Sequence, residues 1–146
     1  MNNNLKKLAI GTAQFGMNYG IANKNGIVKS KDINAILDLA WKKGIHTLDT
    51  AKSYGNSEEI IGDYIDKVNN GPWNIITKLS SRDKTVFDQI QDSIDKLNIK
   101  PIAVMAHSAD LFLDSEFQRE LIKAKNKNNV QKIGVSLYSE KDIDNI

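Results

Sequence analysis

The chain has 146 residues, 40% of them hydrophobic and 26% charged, with a net charge of +2 and no cysteine. That size and balance fit about one globular domain, and Lys and Arg are interleaved with Asp and Glu without a basic run of five or more, so nucleic-acid binding has little support. No apolar stretch approaches the roughly 18 to 20 residues of a membrane span, the opening MNNNLKK lacks the apolar core of a signal peptide, and no disulfide framework is available, so a soluble cytoplasmic protein is expected.

In chain order, Leu8 to Thr12 reads as a first strand, followed by a glycine-containing loop from Phe15 to Val28. Ser30 offers an N-cap for a helix whose apolar positions Ile33, Ile36, Leu37, Ala40 and Trp41 recur at helical spacing, and Gly44 suits its C-terminal stop. Ile45 to Asp49 is a second strand. The next helix starts near Asn56, where Asn56 and Glu59 have the spacing of a variant capping box ahead of Ile60, Ile61, Tyr64 and Ile65. Gly71-Pro72 then punctuates the chain.

A third strand, Asn74 to Lys78, feeds a helix carrying Val86, Ile90, Ile94 and Leu97 at helical spacing and stopped before Pro101. Ile102 to His107 is a fourth strand. Phe117, Leu121, Ile122 and Ala124 mark one face of a helix that runs out in the polar segment Lys125 to Asn129. Ile133 to Ser136 is a fifth strand, and Ser139 with Asp142 opens a helix that stops with the sequence at Ile146. Strands alternating with helices at this spacing predict a parallel sheet with right-handed crossovers.

Asp49, Lys78 and His107 lie 29 positions apart, each closing a strand, and one more step of that length reaches Ser136. The C-terminal ends of parallel strands are where loops converge on a ligand. Alternation puts Thr47 with Asp49, Ile76 with Lys78, and Ala103 and Met105 with His107 on one face, while His46 and Leu48 turn to the helix layer. His46 therefore reads as structural. Taken singly, Asp49 is a strand-end or capping residue and Lys78 a solvated lysine; the combination is what points to chemistry.

A carboxylate beside a lysine keeps the lysine charged and fixes its direction. A charged lysine beside a phenol stabilises phenolate and lowers the phenol's pKa from about 10. Tyr54, in the loop leaving the second strand, supplies such a phenol. Tyr54 could then protonate a carbonyl oxygen as it becomes an alkoxide, with His107 orienting that oxygen. The hydride must come from a cofactor, because no side chain supplies one.

At these residues the sequence resembles the aldo/keto reductase family: Gly11-Thr12 at the first strand turn, LDTAKSYGNSE around Asp49 and Tyr54, ITK ending at Lys78, MAHS at His107, and IGVS ending at Ser136. The resemblance implies a (β/α)8 TIM barrel and NADPH-dependent reduction of a small-molecule aldehyde or ketone. It implies the catalytic tetrad Asp49, Tyr54, Lys78 and His107, with Tyr54 as general acid, and cofactor contacts from Gly11, Thr12, Asp49 and Ser136. No metal is implied, and the two histidines have no metal-site spacing.

Two departures accompany it. Members of the family commonly carry Asn after the serine of the GVS run, and here Leu137 follows Ser136. A barrel of this kind usually needs about 250 residues, so residues 1–146 are expected to form only the N-terminal part of the barrel, truncated within the fifth β/α unit and inactive alone. An open sheet exposes backbone edges and an apolar interior face, which favours self-association. The rival readings are a non-catalytic half-barrel that acts as an interaction module, and a lyase or epimerase barrel using Lys78 as a Schiff-base lysine.

Overall fold

The computed structural model describes residues 5–68, 71–127 and 130–146. Five strands, β1 (Ala9–Gly11), β2 (Thr47–Asp49), β3 (Asn74–Leu79), β4 (Ala103–Ala106) and β5 (Lys132–Val135), form one sheet in the order of the chain, every neighbouring pair parallel. Helices α2 (Ser30–Lys42), α3 (Ser57–Val68), α4 (Val86–Leu97) and α6 (Ser115–Asn126) connect successive strands, and α7 (Glu140–Asp144) follows β5. This is the architecture of a partial (β/α)8 barrel, with β1 and β5 as its two edges.

The alternation along the strands sorts the two faces. Leu48, Ile75, Thr77, Leu79, Val104 and Ala106 are fully buried, whereas Thr47, Asp49, Ile76, Met105 and His107 on the opposite face are only half-buried. Two apolar clusters form the buried side. One joins Ile33 and Leu37 of α2, Ile61 and Tyr64 of α3, Trp73 and Leu97 to Leu48 and Ile75. The other joins Val86 and Ile90 of α4 and Phe117 and Leu121 of α6 to Leu79 and Val104. Each fully buried aliphatic side chain contributes about 1.5–3 kcal/mol, so the helix-facing side carries most of the apolar stabilisation, while on the other face Lys78 and Ala103 are also buried.

The helix ends show local signals at work. The Thr85 hydroxyl accepts from the Asp88 N–H (3.1 Å) at the start of α4, and Asn98, with φ of 53°, ends that helix in the left-handed region. Gly44 follows α2 with φ of 84°. The Asp142 carboxylate accepts from the Tyr138 N–H (2.7 Å) and the Ser139 N–H (3.0 Å) at the start of α7. Asn56 stands just ahead of α3 and its carbonyl accepts from the Ile60 N–H (3.0 Å), while Glu59 pairs with Lys96 of α4 (3.0 Å).

Several boundaries differ from the sequence reading. Ser30 is the first helical residue and not the N-cap; Lys29 holds the cap position, its carbonyl accepting from the N–H groups of Asp32 (2.9 Å) and Ile33 (3.0 Å). The start is fixed by burial of Ile33, not by a side-chain cap. Two short helices, α1 (Ala13–Gly16) and α5 (Ala109–Leu113), and a 3-10 turn at Leu5–Lys7 go unannounced, because segments of three to five residues are too short to display a helical period. Of the polar segment Lys125 to Asn129, residues through Asn126 belong to α6, and positions 128 and 129 lie outside the described residues. Among the described residues no helix is long and apolar enough to cross a membrane.

Candidate active site

Parallel pairing brings the strand ends level. Gly11 is opposite Asp49, Asp49 opposite Ile76, and Lys78 opposite Met105. The His107 N–H, one residue beyond β4, donates to Leu79 O (2.9 Å), and the Ser136 N–H, one residue beyond β5, donates to Ala106 O (2.9 Å). Asp49, Lys78 and His107 consequently rise from one end of the half-buried face.

Lys78 is the centre of the group. It is only 5% exposed, and its ammonium pairs with Asp49 Oδ1, donates to Thr50 O at 3.0 Å and reaches the Tyr54 hydroxyl at 3.5 Å. An ammonium has three N–H donors, and these three oxygens match them. Since the Tyr54 oxygen accepts from Lys78, the phenol's own proton is available to another acceptor. The ammonium also lies 5.1 Å from the Tyr54 ring centroid, and a cation held there stabilises negative charge appearing on the phenol oxygen as its proton departs. An ammonium paired with a carboxylate is a poor nucleophile, which weighs against a Schiff-base role for Lys78.

His107 completes the cluster. Its ring stands edge-on to Tyr54, with centroids 5.7 Å apart and planes at 79°. Ser53 Oγ lies 3.0 Å from His107 Nδ1. Burial, and then the nearby Lys78 charge, hold the His107 pKa below its ordinary 6.5, against a smaller opposing pull from Asp49. The ring is therefore neutral near pH 7 and presents one N–H. Tyr138, which stacks over His107 at 6.4 Å with planes at 20°, and Tyr19, 6.5 Å from Tyr54, are exposed at the rim.

The loop carrying Tyr54 is held from behind. A Cβ on Gly16 would stand 1.9 Å from Tyr54 O and 2.6 Å from Ser57 N, and one on Gly55, whose φ is +59°, would stand 2.2 Å from Gly16 O. Two glycines thus let α1 lie directly against the turn after Tyr54. Beside them runs a buried chain of hydroxyls: Thr50 donates to Ser57 (3.1 Å), Ser57 to Thr12 (2.9 Å), and Thr12 to Asp49 O (3.0 Å). In the sequence Gly16 stands only as part of the glycine-containing loop from Phe15 to Val28, and Thr50, Ser53, Gly55 and Ser57 stand only as unremarked members of LDTAKSYGNSE. No local spacing could have found them: Ser57 meets Thr12 and Ser53 meets His107 across 45 and 54 positions, and the Thr50–Ser57 pair, seven positions apart, spans a loop without a period.

The positions expected at the cofactor differ among themselves. Gly11 is exposed, and nothing lies within 4 Å of a Cβ built on it. Asp49 is engaged with Lys78. Thr12 is fully buried, its hydroxyl bonded to the backbone of Asp49. Ser136 is half-buried at its strand end, and Leu137 beside it is exposed. His46 lies in the helix layer, stacked on Trp41 at 3.9 Å, away from the group.

Solved structures share this arrangement of strands and helices. An aldo-keto reductase candidate from Pseudomonas aeruginosa matches with a TM-score of 0.71 and 25% identity over 88% of this chain and 54% of its own. The holo form of an aldo-keto reductase from Bacillus halodurans matches with a TM-score of 0.72 and 17% identity, over 94% of this chain and 48% of its own. An aldo/keto reductase from Klebsiella pneumoniae in complex with NADP and acetate matches with a TM-score of 0.69 and 18% identity, over 94% and 47%. The chain thus spans about half the length of these neighbours. No curated protein matches it. The family model described as "Aldo/keto reductase family" covers residues 7–146, which takes in all five strands and every member of the Asp49, Tyr54, Lys78 and His107 cluster, and on that match the chain belongs to the aldo/keto reductase family.

Proposed function

We propose that residues 1–146 form the N-terminal part of a cytoplasmic, NADPH-dependent reductase of small aldehydes or ketones, truncated within the fifth β/α unit. In this reading Tyr54 is the general acid, and the chain by itself is inactive. The observation that carries it is the Lys78 ammonium, shared between Asp49 and the Tyr54 hydroxyl at the half-buried mouth of the sheet. Support for truncation comes from the neighbours, whose chains are about twice as long.

The residues present fit the nicotinamide end of such a cofactor. The open space over Gly11, level with Asp49 across the β1–β2 pair, admits a flat ring where any side chain would intrude. Ser136 at the end of β5 is the family's position for the carboxamide, and Asp49 completes the same floor. Thr12, being buried, serves that floor by holding the Asp49 backbone. When bound, the reduced nicotinamide supplies hydride to the carbonyl carbon.

The chain's own side chains do the rest. His107, neutral at pH 7, donates a hydrogen bond to the carbonyl oxygen and fixes its direction. Tyr54 gives its proton to that oxygen as negative charge develops on it, and Lys78 stabilises the phenolate left behind. Asp49 holds Lys78 in line.

The test is carbonyl-dependent NADPH oxidation by the native polypeptide that carries these residues, with its intact mass measured first. Tyr54→Phe should lower kcat by about 100-fold or more while leaving NADPH affinity unchanged. Equal turnover in the variant rules out the general-acid role. The two sheet edges favour a second reading, a half-barrel that pairs through β1 or β5 with another copy of itself. A native polypeptide no longer than this chain, dimeric and without NADPH affinity, would support it.

A further inference from the structure

His107 must be a donor to serve a carbonyl oxygen, and a neutral imidazole has one N–H on either of two nitrogens. Which nitrogen carries it is set by the hydrogen bond made by the other. The groups around the ring are Asp49 at the end of β2, Lys78 on β3, Ser53 and Tyr54 on the loop after β2, and Tyr138 on the loop after β5. Of these, Ser53 is the one that bonds a ring nitrogen, with Oγ 3.0 Å from Nδ1. Among the described residues the Ser53 hydroxyl has no other side-chain or backbone partner.

We propose that Ser53 is a positioning residue, its hydroxyl donating to His107 Nδ1 and so holding the imidazole as the Nε2–H tautomer. Two observations on this chain and one general preference of imidazole lead there. The Ser53 hydroxyl sits against Nδ1, and in the donor role proposed for it the N–H is left to Nε2. The Nε2–H form is also the one a free histidine side chain favours, so Ser53 reinforces an existing preference. Burial and the Lys78 ammonium keep the ring neutral, and without neutrality the choice of tautomer would have no meaning. The inference rests on the reading of His107 as the group that orients the carbonyl, but its test does not use turnover and can fail while that reading stands.

The experiment is a long-range proton–nitrogen correlation spectrum of the uniformly nitrogen-15-labelled chain across a pH series, for wild type, Ser53→Ala and Ser53→Thr. In wild type above the His107 titration, Nδ1 should resonate as an unprotonated imidazole nitrogen and Nε2 as a protonated one. Ser53→Ala removes one neutral hydrogen bond, which should lower the tautomer ratio by about fivefold. It should also raise the pH at which His107 titrates, because the lost bond favoured the neutral ring. Ser53→Thr should restore both. His46, the other of the two histidines, lies in the helix layer and should not change in either variant, which separates a local effect from a disturbed fold. Ser53 is exposed, so neither variant opens a core cavity. A wild-type ring protonated on Nδ1, or a Ser53→Ala spectrum with the same tautomer ratio and the same titration, overturns the proposal.

Discussion

Gly16→Ala probes how the fold places the phenol of Tyr54. The added Cβ would meet three backbone atoms, Tyr54 O at 1.9 Å, Ser57 N at 2.6 Å and Asn56 N at 2.9 Å. Ordinary contact begins at 3.4 Å, so α1 and the Tyr54 turn must separate by about 1.5 Å, the difference from the shortest of these distances. None of the three atoms ends a flexible side chain. The cost therefore sits at the upper end of the usual range for overpacking, about 3 kcal/mol. Strain on the bond from the Ser57 N–H to Tyr54 O (3.1 Å) adds to it, and loss of unfolded-state freedom on replacing glycine offsets about 0.4–1 kcal/mol.

Urea unfolding followed by circular dichroism reads the result. At an m-value of about 1.5 kcal/mol per molar, a net loss near 3 kcal/mol lowers the midpoint by about 2 M. Gly134→Ala is the matched control, because its Cβ would touch only the Met105 side chain, Cγ at 3.5 Å and Cε at 3.9 Å, ordinary contacts with a flexible side chain. In an active polypeptide the same displacement of Tyr54, of the order of 1 Å, should lower kcat by about 100-fold. A Gly16→Ala midpoint matching that of Gly134→Ala would refute the reasoning, since it would show that the turn carrying Tyr54 does not rest on the α1 backbone.

Gly11→Ala separates fold from cofactor: with nothing within 4 Å of the new Cβ, the urea midpoint should hold, while NADPH affinity of the native polypeptide falls. Unchanged NADPH affinity by fluorescence titration would remove Gly11 from the cofactor floor. Asp49→Asn should destabilise the chain by about 2 kcal/mol or more, because it leaves a 5%-exposed lysine without its counter-ion. Adding Lys78→Met should recover much of that loss, and additive losses in the double-mutant cycle would argue against a coupled pair. For His107 the folded-state pKa lies below the ordinary 6.5. Its contribution to stability is thus fully present above about pH 6.5 and is lost as the pH falls through the lower folded value. Urea midpoints of wild type should decline across that window more steeply than those of His107→Phe, and parallel declines would show that His107 is not the group responsible.

Much of this protein is legible without coordinates. Asp49, Lys78 and His107 announce themselves because a strand's alternation and its C-terminal end are local properties, readable from a few residues and repeated down the chain. The five strands and their long connecting helices follow from the same short-range periods. Tyr54 was reachable from the chemistry that a paired lysine requires.

The tertiary structure decided what depends on distance. Gly16 and Gly55 press together, Ser53 meets His107, and Ser57 bonds Thr12, each pair brought into contact by the parallel register of β1, β2, β3 and β4. The burial of Thr12, whose hydroxyl donates to the Asp49 backbone, belongs to the same class. A single sequence carries the period of each element but not the register between them, and it is the register that determines which side chains share a hydrogen bond. Residue types at strand ends were therefore legible in the sequence, and only folding specified the second layer of glycines and hydroxyls that packs behind them.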